Sequence, residues 1–164
     1  MPFKNITQPK LIIIEDSLRL RKPGINDYEI AVQWYQNPKV MYYSEGAADK
    51  IYNIENVIWM HNYLNSIGEL YYIETYEESE WKAIGDVTLS EENTSITIGS
   101  ENNWGKGIGK KVINTLLNRA RKIELEKITI SIFKYNERSK GLFKSLGFIK
   151  IAEDDTEDIY ELIL

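Results

Sequence analysis

Three glycines joined to the strongest amphipathic helix of the chain limit its fold more than any other feature. The segment Trp104-Gly105-Lys106-Gly107-Ile108-Gly109-Lys110-Lys111 runs into Val112, Ile113, Leu116, Leu117 and Ala120. With Ile108 these fall at helical spacing and predict a helix over about 107–122. Glycine lets the backbone turn so that its N–H groups converge, and the first helical turn leaves further amides unpaired at the positive end of the dipole. A phosphate or pyrophosphate suits such a place. Lys106, Lys110, Lys111, Arg119, Arg121 and Lys122 add cations to this segment, and it holds no acid. A Walker loop is excluded, because the residue five before Gly109 is Trp104 and Lys111, not Ser or Thr, follows Lys110. The dinucleotide fingerprint also fails: the spacing is Gly-x-Gly-x-Gly, and a strand meander precedes it instead of a βαβ unit. The plain alternative is a tight strand-to-helix turn that binds nothing.

The surrounding pattern mixes strands and helices in one unit. Leu18-Arg19-Leu20-Arg21 alternates with period two and reads as a strand ended by Pro23-Gly24. A helix follows, capped by Asn26 with Glu29 three residues on and presenting Ile30, Ala31 and Trp34, until Asn37-Pro38 stops it. Val40 to Gly46 reads as an irregular aromatic connection. Ile54, Val57, Met60, Leu64 and Ile67 predict a second helix over about 53–66, with Gly68 as its cap. Three strands follow at Leu70–Tyr76, Lys82–Leu89 and Ser95–Gly99. After the glycine helix, Ile128, Ile130 and Ile132 mark a strand, Glu137 to Ser145 a short helix, and Phe148–Ala152 with Ile159–Leu164 a closing hairpin. The expected architecture is a mixed α+β fold in the order β-α-α-β-β-β-α-β-α-β-β. Its central sheet is mostly antiparallel, of about six to seven strands with helices on both faces, and the chain forms one domain over 1–164.

Composition removes several chemistries. The chain of 164 residues has no cysteine, a single histidine and a net charge of −5, so thiolate zinc sites, disulfides and a His-rich metal centre are excluded. No metal site is expected. Mild acidity argues against binding the phosphates of nucleic acids, and no stretch approaches the ~18 apolar residues of a membrane span. The first residues lack the apolar run of a signal peptide, so a cytoplasmic chain with no membrane partner is expected. The charge is uneven: Tyr76–Glu80 and Glu153–Asp158 hold eight acids and no base, and both read as solvated turns, the second with the alternative of steering cationic substrates.

From Ile98 to Phe148 the chain resembles the GNAT superfamily of acetyl-CoA-dependent N-acetyltransferases. The family's pyrophosphate signature, Arg/Gln-x-x-Gly-x-Gly/Ala, stands here as Trp104-Gly105-Lys106-Gly107-Ile108-Gly109. Its later signature, Asn followed by a short helix ending in Gly-Phe, stands as Asn136-Glu137-Arg138-Ser139-Lys140-Gly141-Leu142-Phe143-Lys144-Ser145-Leu146-Gly147-Phe148. Leu18–Pro23 and Trp34–Val40 are more loosely similar to the subgroup of ribosomal-protein and aminoglycoside acetyltransferases.

The resemblance implies acetyl-CoA as cosubstrate, and a primary amine, on a small molecule or a protein N-terminus, as acceptor. The amine attacks the thioester directly in a ternary complex; a homodimer stays open. It implies a gap between the strand before the glycine loop and the strand after its helix, lined by Ile98, Gly99 and Ser100, with backbone N–H groups near Gly99 and Ser100 stabilising the oxyanion. The amides of Lys106, Gly107, Ile108, Gly109 and Lys110 hold the pyrophosphate, Asn136 bonds the pantetheine, and Ser139 and Phe143 face the cofactor. Two positions depart from the pattern. Trp104 replaces Arg or Gln, and Phe143 stands where many members place the Tyr that protonates the departing sulfur; Tyr135 and Ser139 are hydroxyls nearby in sequence.

A base must take a proton from the amine. Asp86 is the first candidate, because Asp is disfavoured inside strands yet lies within Ile84-Gly85-Asp86-Val87-Thr88; the alternative is a solvated or paired carboxylate on the open sheet face. Glu45 is the second, as base or as a site for a cationic substrate, against a plain loop residue. Aromatics at 34, 35, 42, 43, 59 and 63 offer either cation–π surfaces or core, with Trp34 and Trp59 read as core and His61 as structural. The competing function is a degenerate acyl-CoA-binding or regulatory module.

Overall fold

The computed structural model describes residues 2–164. Two antiparallel sheets form its frame, one of five strands in the order β1-β2-β3-β4-β5 and one of three in the order β6-β8-β7. In the first sheet β1 (Leu11–Glu15) and β2 (Leu18–Arg21) form a hairpin, followed in space by β3 (Glu69–Glu77), β4 (Glu80–Leu89) and β5 (Ser95–Ile98). The second contains β6 (Lys127–Phe133), β7 (Ile149–Glu153) and β8 (Glu157–Ile163). The expected central sheet is thus present as two parts with one strand more than anticipated. The addition is β1, where the run Leu11–Ile14 ends at a two-residue turn before pairing back on β2.

Period two in the long strands separates two cores. Tyr71 and Ile73 of β3 join α4 (Ile108–Lys122), whose Val112, Ile113, Leu116, Leu117 and Ala120 are buried. Leu70 and Tyr72 face the opposite side and pack on α1 (Tyr28–Trp34) and α3 (Ile54–Ile67). Helices therefore cover both faces. α3 starts at a reciprocal cap, in which the Asn53 side chain accepts from Asn56 N–H at 2.9 Å and the Asn56 side chain accepts from Asn53 N–H at 3.1 Å. α5 (Glu137–Ser145) starts where the Asn136 side chain accepts from Ser139 N–H at 3.2 Å.

Four local expectations change. Val40 to Gly46 belongs to a helix, α2 (Pro38–Glu45), which has Pro38 in its first turn, the Asn37 side chain accepting from Lys39 N–H, and Gly46 ending it at φ 71°. Only Val40 and Met41 of α2 are buried, so apolar periodicity could not disclose it. α1 is not capped by Asn26: the Asp27 carboxylate instead accepts from Gly24 N–H at 2.7 Å across a 3-10 turn, and Tyr28, not the exposed Ile30, joins Ala31 and Trp34 on the buried face. Trp59 is 72% exposed and so is not core, whereas Trp34 is. His61 is fully buried, its Nε2 2.9 Å from the Tyr72 hydroxyl, and burial pushes its pKa down to about 4, so it stays neutral as a structural residue. Glu153–Asp158 is no free acidic turn either. Asp158 lies 3.1 to 3.4 Å from the amines of Lys134, Lys140 and Lys150, tying α5 to the closing hairpin. Among the described residues no helix is long and apolar enough to cross a membrane.

Candidate active site

Among the described residues the two sheets meet at a single backbone bond and then part. Thr94 N–H donates to Thr129 C=O at 2.9 Å, and no ladder pairs β5 with β6 beyond it among the described residues. Gly99 N–H donates to Ile84 C=O at 2.7 Å, and hydrogen-bonded pairs alternate along an antiparallel ladder. The amides of Ile96 and Ile98 therefore turn away from β4 into the gap. The Ile98 carbonyl accepts from Trp104 Nε1 at 2.7 Å, which leaves its N–H facing the opening.

On one side of this gap lies a cavity of about 500 Å³. Gly105 to Lys110 form one wall, Ile96 to Ile98 another, and Asn136 and Ser139 of the α5 start a third. Gly105 and Gly107 hold φ of 73° and 78°, with open space where a Cβ would stand. Gly107 caps α4 with no side chain, so the first amides of the helix keep their donors for a ligand. Lys106 and Lys110 line the cavity, while Lys111 pairs with Glu15 and Arg119 with Glu69. The basic strip is thus narrower than the sequence suggests. Arg138 also lines the cavity, its guanidinium carbon 4.8 Å from the Trp104 ring centroid, so a cation stands beside the position where the signature loses its Arg or Gln.

A second cavity, of about 640 Å³, opens on the α1/α3 side. It shares Tyr43, Ser44, Ile96, Thr97, Asn136 and Ser139 with the first, so the two adjoin across the splayed strands. Three carboxylates, Glu45, Asp86 and Glu157, line it with Tyr35, Tyr52, Trp59 and Tyr63, and no Lys or Arg does among the described residues. Asp86 is 1% exposed and accepts from the Tyr35 hydroxyl at 2.6 Å. Burial pushes its pKa up to about 7 against the opposing Tyr35 bond, with nearby Glu45 adding to the rise. Glu45 accepts from the Tyr52 hydroxyl at 3.1 Å, and burial raises it as well. Tyr35 and Tyr52 stack at 5.8 Å, which fixes the two carboxylate partners together.

Most of the residues expected here converge: Ile98, Lys106, Gly107, Ile108, Gly109, Lys110, Asn136 and Ser139 line the first cavity, and Asp86 and Glu45 the second. Three do not. Gly99 packs under Trp34, where a Cβ would overlap the indole, and its N–H is already bonded, so neither it nor Ser100 lines a cavity. Phe143 is fully buried, edge-on to Phe148 at 5.1 Å, and reaches neither cavity. Asp86 is not on an open sheet face. Sequence reasoning missed Tyr52, which lies between helices with no periodic signal, and did not single out Glu157 from the acidic run it flagged. Of the flagged aromatics, Tyr35, Tyr43, Trp59 and Tyr63 line the second cavity. Among the described residues no group of acids and His could hold a metal ion.

Comparison with known proteins agrees with this geometry. The chain is 28% identical to an uncharacterised protein of Methanocaldococcus jannaschii over 98% of its own length, spanning about a third (34%) of that protein. A crystal structure of a domain from the same organism superposes with TM-score 0.80 at 28% identity, covering 91% of this chain and all of that domain. Spermidine N-acetyltransferase from Vibrio cholerae, solved with CoA and spermine, has the same fold at TM-score 0.73 and 18% identity, covering 91% of this chain and 96% of that one. The family profile of the acetyltransferase (GNAT) domain matches residues 17–149. Glycine cradle, splayed strands and profile together place this chain in the GNAT acetyltransferase family.

Proposed function

We propose that this domain transfers the acetyl group of acetyl-CoA to a primary amine by direct attack in a ternary complex. The observation that carries the reading is the junction of two unlike cavities. One is glycine-lined, cationic and rich in free amides; the other is anionic and aromatic. In this reading the amides of residues 106–110 hold the pyrophosphate, with Lys106, Lys110 and Arg138 around it, and the Ile96 backbone groups pair with the amides of the pantetheine arm. Ile98 N–H, rather than Gly99 or Ser100, is the donor available to the carbonyl oxygen as negative charge develops there.

The acceptor approaches from the second cavity, whose carboxylates attract its ammonium form. Asp86 is the general base: with a pKa of about 7 it is largely ionised just above neutrality and so free to take the proton of the attacking amine. Tyr35 is its positioning residue. Glu45 and Glu157 hold the cationic acceptor, a small amine or a protein N-terminus. Holding both reactants in adjoining cavities supplies much of the rate advantage without a protein nucleophile.

Release of CoA thiol, followed with acetyl-CoA and panels of polyamines, aminoglycosides and N-terminal peptides, tests the reading. Amine-dependent release supports it. Tight acetyl-CoA binding with no release on any panel would instead make the domain an acyl-CoA-binding or regulatory module.

A further inference from the structure

Phe143 leaves the reaction without its usual proton donor, because a benzyl ring in the core can neither donate nor reach the cavity. The departing sulfur must sit where the two cavities meet, since the thioester belongs to one and the amine to the other. Hydroxyl groups at that junction are those of residues lining both cavities: Tyr43, Ser44, Thr97 and Ser139.

Hydrogen bonding and acidity separate them. Ser44 Oγ donates to the Val40 carbonyl at 2.8 Å. Thr97 and Ser139 are alkanols, and an alkanol is a much weaker acid than a phenol, so it gives a proton to a thiolate less readily. The other phenols nearby are engaged elsewhere: Tyr35 donates to Asp86, Tyr52 to Glu45 and Tyr135 to the Tyr42 carbonyl. None of these three lines both cavities. Tyr43, from α2, does, and its ring is held edge-on by Trp104 at 6.0 Å and by Tyr42 at 5.1 Å.

We infer that Tyr43 is the general acid for the departing coenzyme A thiolate, supplied by α2 across the gap from the α5 position that Phe143 vacates. This rests on the acetyl-transfer reading. The amine nitrogen forms the C–N bond to the acetyl carbon and yields a proton to the Asp86 carboxylate. As the C–S bond breaks, its electron pair stays on sulfur, which takes the phenolic proton of Tyr43. Tyr43 recovers a proton from solvent and Asp86 returns one, so the products are the N-acetylamine and the free thiol.

Steady-state kinetics of the full chain as a function of pH, with an amine found to be acetylated, test the assignment. Tyr43→Phe is expected to lower kcat about 10- to 100-fold, at the low end for general acids because a thiolate is already a tolerable leaving group. It is also expected to remove the alkaline fall in kcat while acetyl-CoA affinity by calorimetry stays within about twofold. Replacing Tyr43 by 3-fluorotyrosine, a more acidic phenol, is expected to move that alkaline limb to lower pH. An unchanged kcat and profile in Tyr43→Phe would overturn the assignment, as would loss of the limb in Ser139→Ala but not in Tyr43→Phe. Weakened acetyl-CoA binding with normal kcat at saturation would also overturn it, making Tyr43 only a wall. A wild-type chain that binds acetyl-CoA yet acetylates no amine would remove the acetyl-transfer reading itself; turnover with an unaffected variant removes only the Tyr43 assignment.

Discussion

Asp86→Asn should make the protein lose its activity and gain stability at alkaline pH. The folded chain holds this carboxyl at about 7 against an ordinary value of 3.8, which disfavours its ionised form by about 4 kcal/mol. Because the native state keeps the proton that the unfolded state has lost, folding stability falls as pH rises from about 4 to about 7 and stays low above it. The amide cannot ionise. Its oxygen would still accept from Tyr35, but its two N–H donors lack assured partners, a penalty of about 1–3 kcal/mol that does not depend on pH. That penalty cancels when urea unfolding of wild type and variant is compared at pH 4 and again at pH 8. The stability difference between them should move in favour of the variant by up to about 4 kcal/mol between the two conditions. Activity should move the other way, with kcat/KM down by about 10²–10⁴ at pH 8 and the acid limb near neutrality gone. A stability difference that is the same at both pH values would show that Asp86 is not a strained buried acid. An unaltered pH–rate profile would show that it is not the base.

Two glycines give further tests. Gly107→Glu places a carboxylate in the anion cradle at a residue with φ 78°, so acetyl-CoA binding should be abolished, with backbone strain of about 1–2 kcal/mol and an unchanged circular dichroism spectrum; retained affinity by calorimetry would sink the pyrophosphate assignment. Gly99→Ala drives a methyl group into the Trp34 ring and should destabilise the fold by several kcal/mol, roughly the upper end for overpacking, read as a lowered thermal midpoint; a melt like wild type would mean that α1 moves aside freely.

The parts of the fold that were legible in the sequence are those that repeat. α4 announces itself through five buried positions at helical spacing, and β6 through three alternating isoleucines that are all buried. α2 was hidden because its stability comes from Asn37, Pro38 and Gly46 at its ends, while Tyr43 lines the cavities and Tyr42 stacks on Tyr135, neither entering a core. The same reason hid Tyr43 as a chemical group. The glycine cradle was readable because glycine and lysine at a helix start carry their physics locally. Asp86 was noticed as an oddity within a strand, but its partner Tyr35, and the Tyr52 ring stacked on it, come from segments far away in sequence, and only packing joins them. The Gly99 N–H, expected to be free, is taken by the Ile84 carbonyl, since which amide of β5 is free depends on the phase of its ladder with β4.

The single rung between Thr94 and Thr129 places two bare strand edges in the middle of the molecule instead of at its perimeter. Perimeter edges recruit other sheets and lead to aggregation, but an interior pair is accessible only to something slim enough to be threaded between them. The protein is therefore a sheet built one strand short. On the proposed reading a ligand whose arm carries amides at peptide-like intervals completes it, and when present at a hundred times its dissociation constant adds about 2.7 kcal/mol to stability. Saturation with cosubstrate should accordingly be read as the last step of assembly as well as the first step of turnover.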